Sequence, residues 1–115
     1  MNKRGQVGEQ AALNYFVSKG YKLIKQNYIC RFGEIDIIMR DRSYIVFVEV
    51  RTRKTGSIVN GLESIDRNKI RKITVTASKY LSEHTVELQP RFDVIIMETG
   101  NDGGIRVTSH IENAF

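Results

Sequence analysis

Two carboxylates stand where a chain has few physical reasons to put them. Asp36 lies inside Gly33-Glu34-Ile35-Asp36-Ile37-Ile38-Met39, and Glu49 lies inside Tyr44-Ile45-Val46-Phe47-Val48-Glu49-Val50-Arg51. Both runs are otherwise dominated by Ile and Val. An unpaired buried carboxylate is costly, so each acid needs a partner. Two carboxylates brought close together repel and must share a proton or a cation. A hard divalent ion, Mg²⁺ or Mn²⁺, suits such an oxygen pair. It polarises a phosphoryl oxygen and lowers the pKa of a bound water. The backbone carbonyl of Val50 offers another oxygen ligand, and Glu9 offers a third carboxylate. Arg51 can orient water or neutralise charge developing on a phosphate. It cannot act as the general base, because its pKa exceeds ~12. The competing reading is a surface ion-pair ladder on a half-exposed sheet.

The elements that must position these groups are two strands. Each run is bounded by turn residues, Gly33 at one end and Asp41-Arg42-Ser43 between them. The gap is too short for a crossover helix, so the strands pair antiparallel. A two-residue turn, Arg42-Ser43, sets Asp41 opposite Tyr44 and Asp36 opposite Glu49. Glu49 and Arg51 share a face because side chains alternate, and any even-length turn puts Asp36 on that face too. An odd-length turn or a bulge flips it. Directly opposed residues have Cβ atoms about 5 Å apart.

The rest of the chain supplies the frame. Residues 5–19 read as a helix with the stripe Val7, Ala11, Leu13, Tyr15 and Phe16, stopped by Gly20. Glu9 falls in its first turn, where an acid also simply complements the helix dipole. Gly5 and Gly8 suit close packing against the sheet. Residues 21–29 read as an edge strand of imperfect alternation. Thr52-Arg53-Lys54-Thr55-Gly56-Ser57 reads as a basic, flexible loop leaving the end of the strand that carries Glu49. Residues 61–82 read as a second helix with Asn60 and Glu63 as a capping box. Its stripe is Leu62, Ile65, Ile73, Ala77 and Tyr80, widened by Ile70 and Leu81. Arg67, Lys69, Arg71, Lys72 and Lys79 make this helix basic. Together with Arg53 and Lys54, the residues Arg67, Lys69, Arg71 and Lys72 are candidates to contact a nucleic-acid backbone; a solvated helix face explains them equally well. Residues 84–90 read as a loop. Residues 91–97 form another apolar strand, with Asp93 placed to buttress a neighbouring cation. Asn101-Asp102-Gly103-Gly104 is the strongest hairpin turn, leading into a last edge strand, 105–111.

The order α-β-β-β-α-β-β, with a crossover through the second helix, makes the strand at 91–97 parallel to that at 44–51. The expected fold is one α/β domain spanning residues 1–115, a mixed sheet flanked by helices. With 115 residues there is room for one core. The 18 Lys and Arg against 13 Asp and Glu give +5 and a pI near 9.5, which favours an anionic partner, nucleic acid first. A membrane-surface or ribosomal association through the basic helix rests on charge alone. A single cysteine, Cys30, excludes an internal disulfide and a Cys-based zinc cluster. No apolar run approaches the ~20 residues of a membrane helix, and residues 1–6 lack a signal-peptide core. The cytoplasm is the expected compartment.

Several stretches taken together resemble a known family. They are Gly5-Gln6-Val7-Gly8-Glu9-Gln10-Ala11-Ala12, Gly20-Tyr21, Gly33-Glu34-Ile35-Asp36, Val46-Phe47-Val48-Glu49-Val50-Arg51-Thr52-Arg53 and Arg91-Phe92-Asp93-Val94. In this order they are similar to the YraN-like family of small bacterial proteins, mostly uncharacterised and predicted to be nucleases. Asp36 followed by Glu49-Val50-Arg51 also resembles the PD-(D/E)xK signature of the restriction-endonuclease-like superfamily. The resemblance implies that superfamily's fold, a Mg²⁺-dependent endonuclease activity on DNA, with branched or structured DNA among its candidate substrates, and catalytic roles for Asp36, Glu49, Arg51 and Glu9. It implies Asp36 and Glu49 as metal ligands, and it matches Glu9 to a helical glutamate of the archaeal Holliday-junction resolvases. Arg51 stands at the superfamily's lysine position and departs from its pattern. A domain this small needs a second subunit, as in a homodimer, or a second encounter to cut both strands. The alternative is a non-catalytic nucleic-acid-binding protein on a nuclease-derived scaffold.

Overall fold

The computed structural model describes residues 3–56 and 65–115. Helix α1 (Lys3–Ser18) leads through three strands, β1 (Lys22–Cys30), β2 (Gly33–Asp41) and β3 (Tyr44–Lys54). Helix α2 (Arg67–Glu83) follows, then β4 (Gln89–Thr99) and β5 (Ile105–Ile111). The five strands form one sheet whose spatial order is their chain order. β3 and β4 are parallel and every other pair is antiparallel. The chain is therefore a compact α/β domain, with α1 on one face of a mixed sheet and α2 on the other. No helix among the described residues is long and apolar enough to cross a membrane.

The unbroken apolar run of β3 follows from this layering, because a central strand covered on both faces has no polar side. Val46 and Val48 join Ile37, Met39, Ile95 and Met97 against Ala12 and Phe16 of α1. Ile45 and Phe47 join Ile35 and Ile38 against Ile73, Ala77 and Tyr80 of α2.

Helix α1 buries Gly8, Ala12 and Phe16, spaced four apart, while Val7 stays half exposed. Val7 thus drops out of the expected stripe and Gly8 enters it. A Cβ on Gly8 would lie 2.9 Å from Thr52 Oγ1, so only a glycine lets α1 sit this close to β3. Gly20 ends the helix with φ +93, a conformation glycine adopts without cost.

The second helix begins later than the sequence suggests. Asp66 is its N-cap, and the Asp66 carboxylate accepts the Lys69 N–H at 2.8 Å. Asn60, Leu62 and Glu63 lie outside the described residues, and Ile65 packs against Val94 and Ile96 ahead of the helix. Thr52, Arg53 and Lys54 are strand rather than loop. They pair with Met97, Glu98 and Thr99 of β4, a non-local partnership that outweighs their weak local preference. Pro90 likewise belongs to β4 rather than to the preceding loop.

Candidate active site

The β2–β3 hairpin has the two-residue turn Arg42-Ser43, with Asp41 opposite Tyr44 and Ile37 opposite Val48. Continued one step, that register sets Asp36 opposite Glu49. The main-chain ladder stops short of this step. There Asp36 Oδ2 accepts the Val50 N–H at 2.8 Å, so a side chain replaces a strand as the partner of a β3 amide. A residue in a hydrogen-bonded antiparallel pair directs its N–H and C=O at the same neighbour. The Val50 carbonyl accordingly faces the same gap as its N–H.

Glu49 is 6% exposed. Its pKa rises to about 7, first through burial and then through the negative charge of Asp36, with Lys69 and Arg51 pulling the other way. Arg51 Nε stands 3.4 Å from Glu49 Oε1, and Lys69 Nζ of α2 stands 3.8 Å from the same oxygen. Asp36 is also raised, by burial above all, and is held back by the Val50 N–H and by Lys69. Glu9 is raised by burial and by Asp36, and a hydrogen bond with Asn27 opposes the shift. Asp36 is thus the electrostatic neighbour of both other acids. It links Glu9 on α1 to Glu49 on β3 through the opening between β2 and β3.

Among the described residues, no three His, Cys, Asp or Glu side chains already converge on one point at metal-binding distance. Arg51 Nε is buried and makes no hydrogen bond among them. Arg53 Nε lies 3.6 Å from Glu98 Oε2 on β4. Lys54 ends β3 and is exposed. Arg67 and Arg71 are exposed one turn apart on α2, and Lys72 lies one turn beyond Lys69. Two contacts escaped the sequence reading. Lys69, by sequence a candidate backbone-binding cation, reaches Glu49 at 3.8 Å, and only the docking of α2 reveals this. Asn27 has φ +52, a conformation in which Asn is over-represented, and the irregular alternation of β1 was its one trace.

A second charged cluster lies at the other end of β2, five residues or about 16 Å along the strand. Arg91 binds Asp93 through two hydrogen bonds of 2.9 Å, Asp41 at 3.0 Å and the Tyr21 hydroxyl at 2.7 Å. His110 Nε2 meets Asp93 Oδ2 at 2.7 Å, and Tyr15 Oη meets His110 Nδ1 at 3.2 Å. A neutral imidazole protonated on Nε2 satisfies both contacts. Burial pushes Asp93 upward, but His110, Arg91 and the Asn113 N–H hold it below the usual carboxylate range. Asp93 does buttress Arg91, and the closed network ties α1, β2, β4 and β5 together.

The model of the family described as "Uncharacterised protein family UPF0102" matches residues 8–97, the span that carries Glu9, Asp36, Glu49 and Arg91. A UPF0102 protein of Legionella pneumophila is 43% identical over 115 residues, covering 98% of this chain and 94% of that protein. One from Psychromonas ingrahamii is 43% identical over 116 residues, covering 99% and 90%. One from Caldanaerobacter subterraneus is 39% identical over 119 residues, covering 100% and 98%.

Proposed function

The chain belongs to the UPF0102 family, the YraN-like family, and from that premise we propose that it is a divalent-metal-dependent nuclease hydrolysing phosphodiester bonds in DNA. Branched or otherwise structured DNA is the preferred form, and the scaffold is of the restriction-endonuclease-like kind. The observation that carries this reading is the Asp36–Glu49 pair, two acids on neighbouring strands, both raised by burial, with the charge of Asp36 raising Glu49 further.

The donor set fits Mg²⁺ or Mn²⁺. Asp36 and Glu49 would hold the ion, with the Val50 carbonyl in the same gap and Glu9 as an outlying carboxylate. Such oxygen donors are what a hard cation takes, and a double positive charge would oppose the burial and the Asp36 repulsion that raise Glu49. Bound there, the ion would supply Lewis acidity and a nucleophilic water at neutral pH. The chain's own residues do the rest. Arg51, with an unsatisfied buried N–H, and Lys69 present positive charge to a scissile phosphate. Val50 fixes the rotamer of Asp36 through its N–H. Arg67, Arg71 and Lys72 lie on the same helix as Lys69 and attract the backbone by charge.

The test is cleavage of plasmid and of four-way-junction DNA with Mg²⁺, Mn²⁺ or EDTA. Hydrolysis that needs the metal and disappears in Asp36→Ala and Glu49→Ala supports the proposal. Equal cleavage by the variant lacking both acids would end it. A second reading, binding without turnover, draws on Arg51 at the lysine position and on the lack of a ready-made three-ligand group among the described residues. It predicts salt-sensitive binding, indifferent to Mg²⁺, that never yields products.

A further inference from the structure

Beside the acid pair lies a cleft of about 500 Å³ between the β1–β2 turn and the first turns of α2. Arg31, Phe32, Glu34, Lys69 and Lys72 line it, with Ile29 at its rim. Phe32 is 38% exposed and Ile29 is 68% exposed, although neither belongs to a core cluster. The Arg31 guanidinium lies over the Phe32 ring, 4.7 Å from its centroid. Three cations against one acid give the cleft a positive balance. Lys69 belongs to this wall and also reaches Glu49 at 3.8 Å, so the cleft and the acid pair are contiguous. Gly33 sets the floor, since a Cβ there would lie 3.1 Å from Thr76 Oγ1 of α2.

An exposed aromatic face flanked by cations is the chemistry that holds an unpaired nucleotide. The base stacks on the ring, a cation covers it, and the phosphates on either side meet positive charge. A fully paired duplex does not offer this, because its base faces are already stacked on one another. We propose that this cleft binds one unpaired nucleotide of a nucleic-acid strand, its base stacked on Phe32 and its flanking phosphates facing Lys69 and Lys72, and so selects substrates that are unpaired next to the scissile bond. The selectivity rests on the nuclease reading above, whereas the binding site itself does not.

The chain contains no tryptophan, which gives a direct readout. Phe32→Trp places a single indole in the cleft. Its emission is titrated in EDTA with a single strand, with a flapped duplex and with a fully paired duplex of the same length. Strong quenching by the first two and little by the third is expected. Phe32→Ala, followed by anisotropy of labelled strands, weakens binding of the unpaired forms by roughly tenfold and leaves the paired duplex nearly unchanged. Quenching without cleavage in Mg²⁺ keeps the nucleotide site and removes the nuclease reading. Cleavage with unquenched emission and an unaltered Phe32→Ala affinity does the reverse. Absence of any nucleic-acid binding by the unsubstituted protein overturns both.

Discussion

Asp36 and Val50 meet side chain to main chain: the carboxylate of one accepts the N–H of the other at 2.8 Å. That bond ends the β2–β3 ladder at the acid whose charge raises both Glu9 and Glu49. A hydrogen bond to a charged acceptor contributes about 1.5–3 kcal/mol, enough to offset the loss of the next rung.

A divalent ion that binds the fold and not the unfolded chain raises its stability by mass action, about 2.7 kcal/mol at a hundredfold excess over Kd. Mg²⁺ and Mn²⁺ are expected to raise the Tm of the unsubstituted protein. Asp36→Asn and Glu49→Gln are expected to erase that rise. Differential scanning fluorimetry with and without EDTA checks it, and an unchanged Tm in saturating Mn²⁺ tells against metal binding here.

Glu49 also predicts a pH dependence without metal. Its folded pKa is about 7 against an ordinary 4.5. Between those values the folded state binds more protons than the unfolded state, so stability falls as pH rises through the window. Glu49→Gln removes this slope, and at pH 8 it is more stable than the parent by on the order of 3 kcal/mol. At pH 4 the two are alike. Urea melts at both pH values decide the matter, and parallel pH profiles would refute it.

Arg51 bears on rate rather than on fold. Its guanidinium holds its proton throughout the accessible pH range, whereas a lysine can exchange one. Arg51→Lys is expected to raise single-turnover cleavage by roughly tenfold and to add an alkaline limb to its pH profile. Arg51→Ala lowers the rate. If Arg51→Lys is slower than the parent, the residue acts through its fixed charge and fork geometry instead.

The Arg91 network is expected to govern stability alone. Asp93 is fully buried and holds three partners. Asp93→Ala leaves the buried guanidinium of Arg91 short of a counter-ion and costs about 3–5 kcal/mol. Because Asp93 is held below its ordinary value of 3.8, its contribution is complete above that pH and is lost as pH falls further. Chemical denaturation measures the loss. The metal-dependent rise in Tm should survive in a milder variant, Tyr15→Phe, which removes only the hydroxyl that meets His110.

The hairpin was legible because its determinants are local. The two turn residues fix the register as far as Ile37 opposite Val48; strict alternation then fails at Asp36, since Ile35 joins Ile38 on the α2 face while Ile37 and Met39 lie on the α1 face. The Asp93–Arg91 bond was legible for the same reason, since residues two apart share a face of one strand. The features that escaped are tertiary. Lys69 reaches Glu49 only through the docking of α2. Thr52 to Lys54 extend β3 only because β4 lies beside them. His110 arrives from the far end of the chain to close a network begun at Tyr15.

Because every strand lies beside its predecessor in sequence, assembly of the sheet has a single slow step. Three of the four pairings are hairpins that close over short turns. The parallel β3–β4 pairing must first loop residues 55 to 88, 34 in all, at the largest entropic cost of loop closure in the fold. Refolding therefore waits on α2, and the Asp66 cap that starts this helix becomes a kinetic control point. Asp66→Ala, a loss of about 1 kcal/mol, is expected to slow refolding in a stopped-flow chevron and to leave the unfolding arm nearly unmoved. The same loss imposed at the β4–β5 turn should instead quicken unfolding.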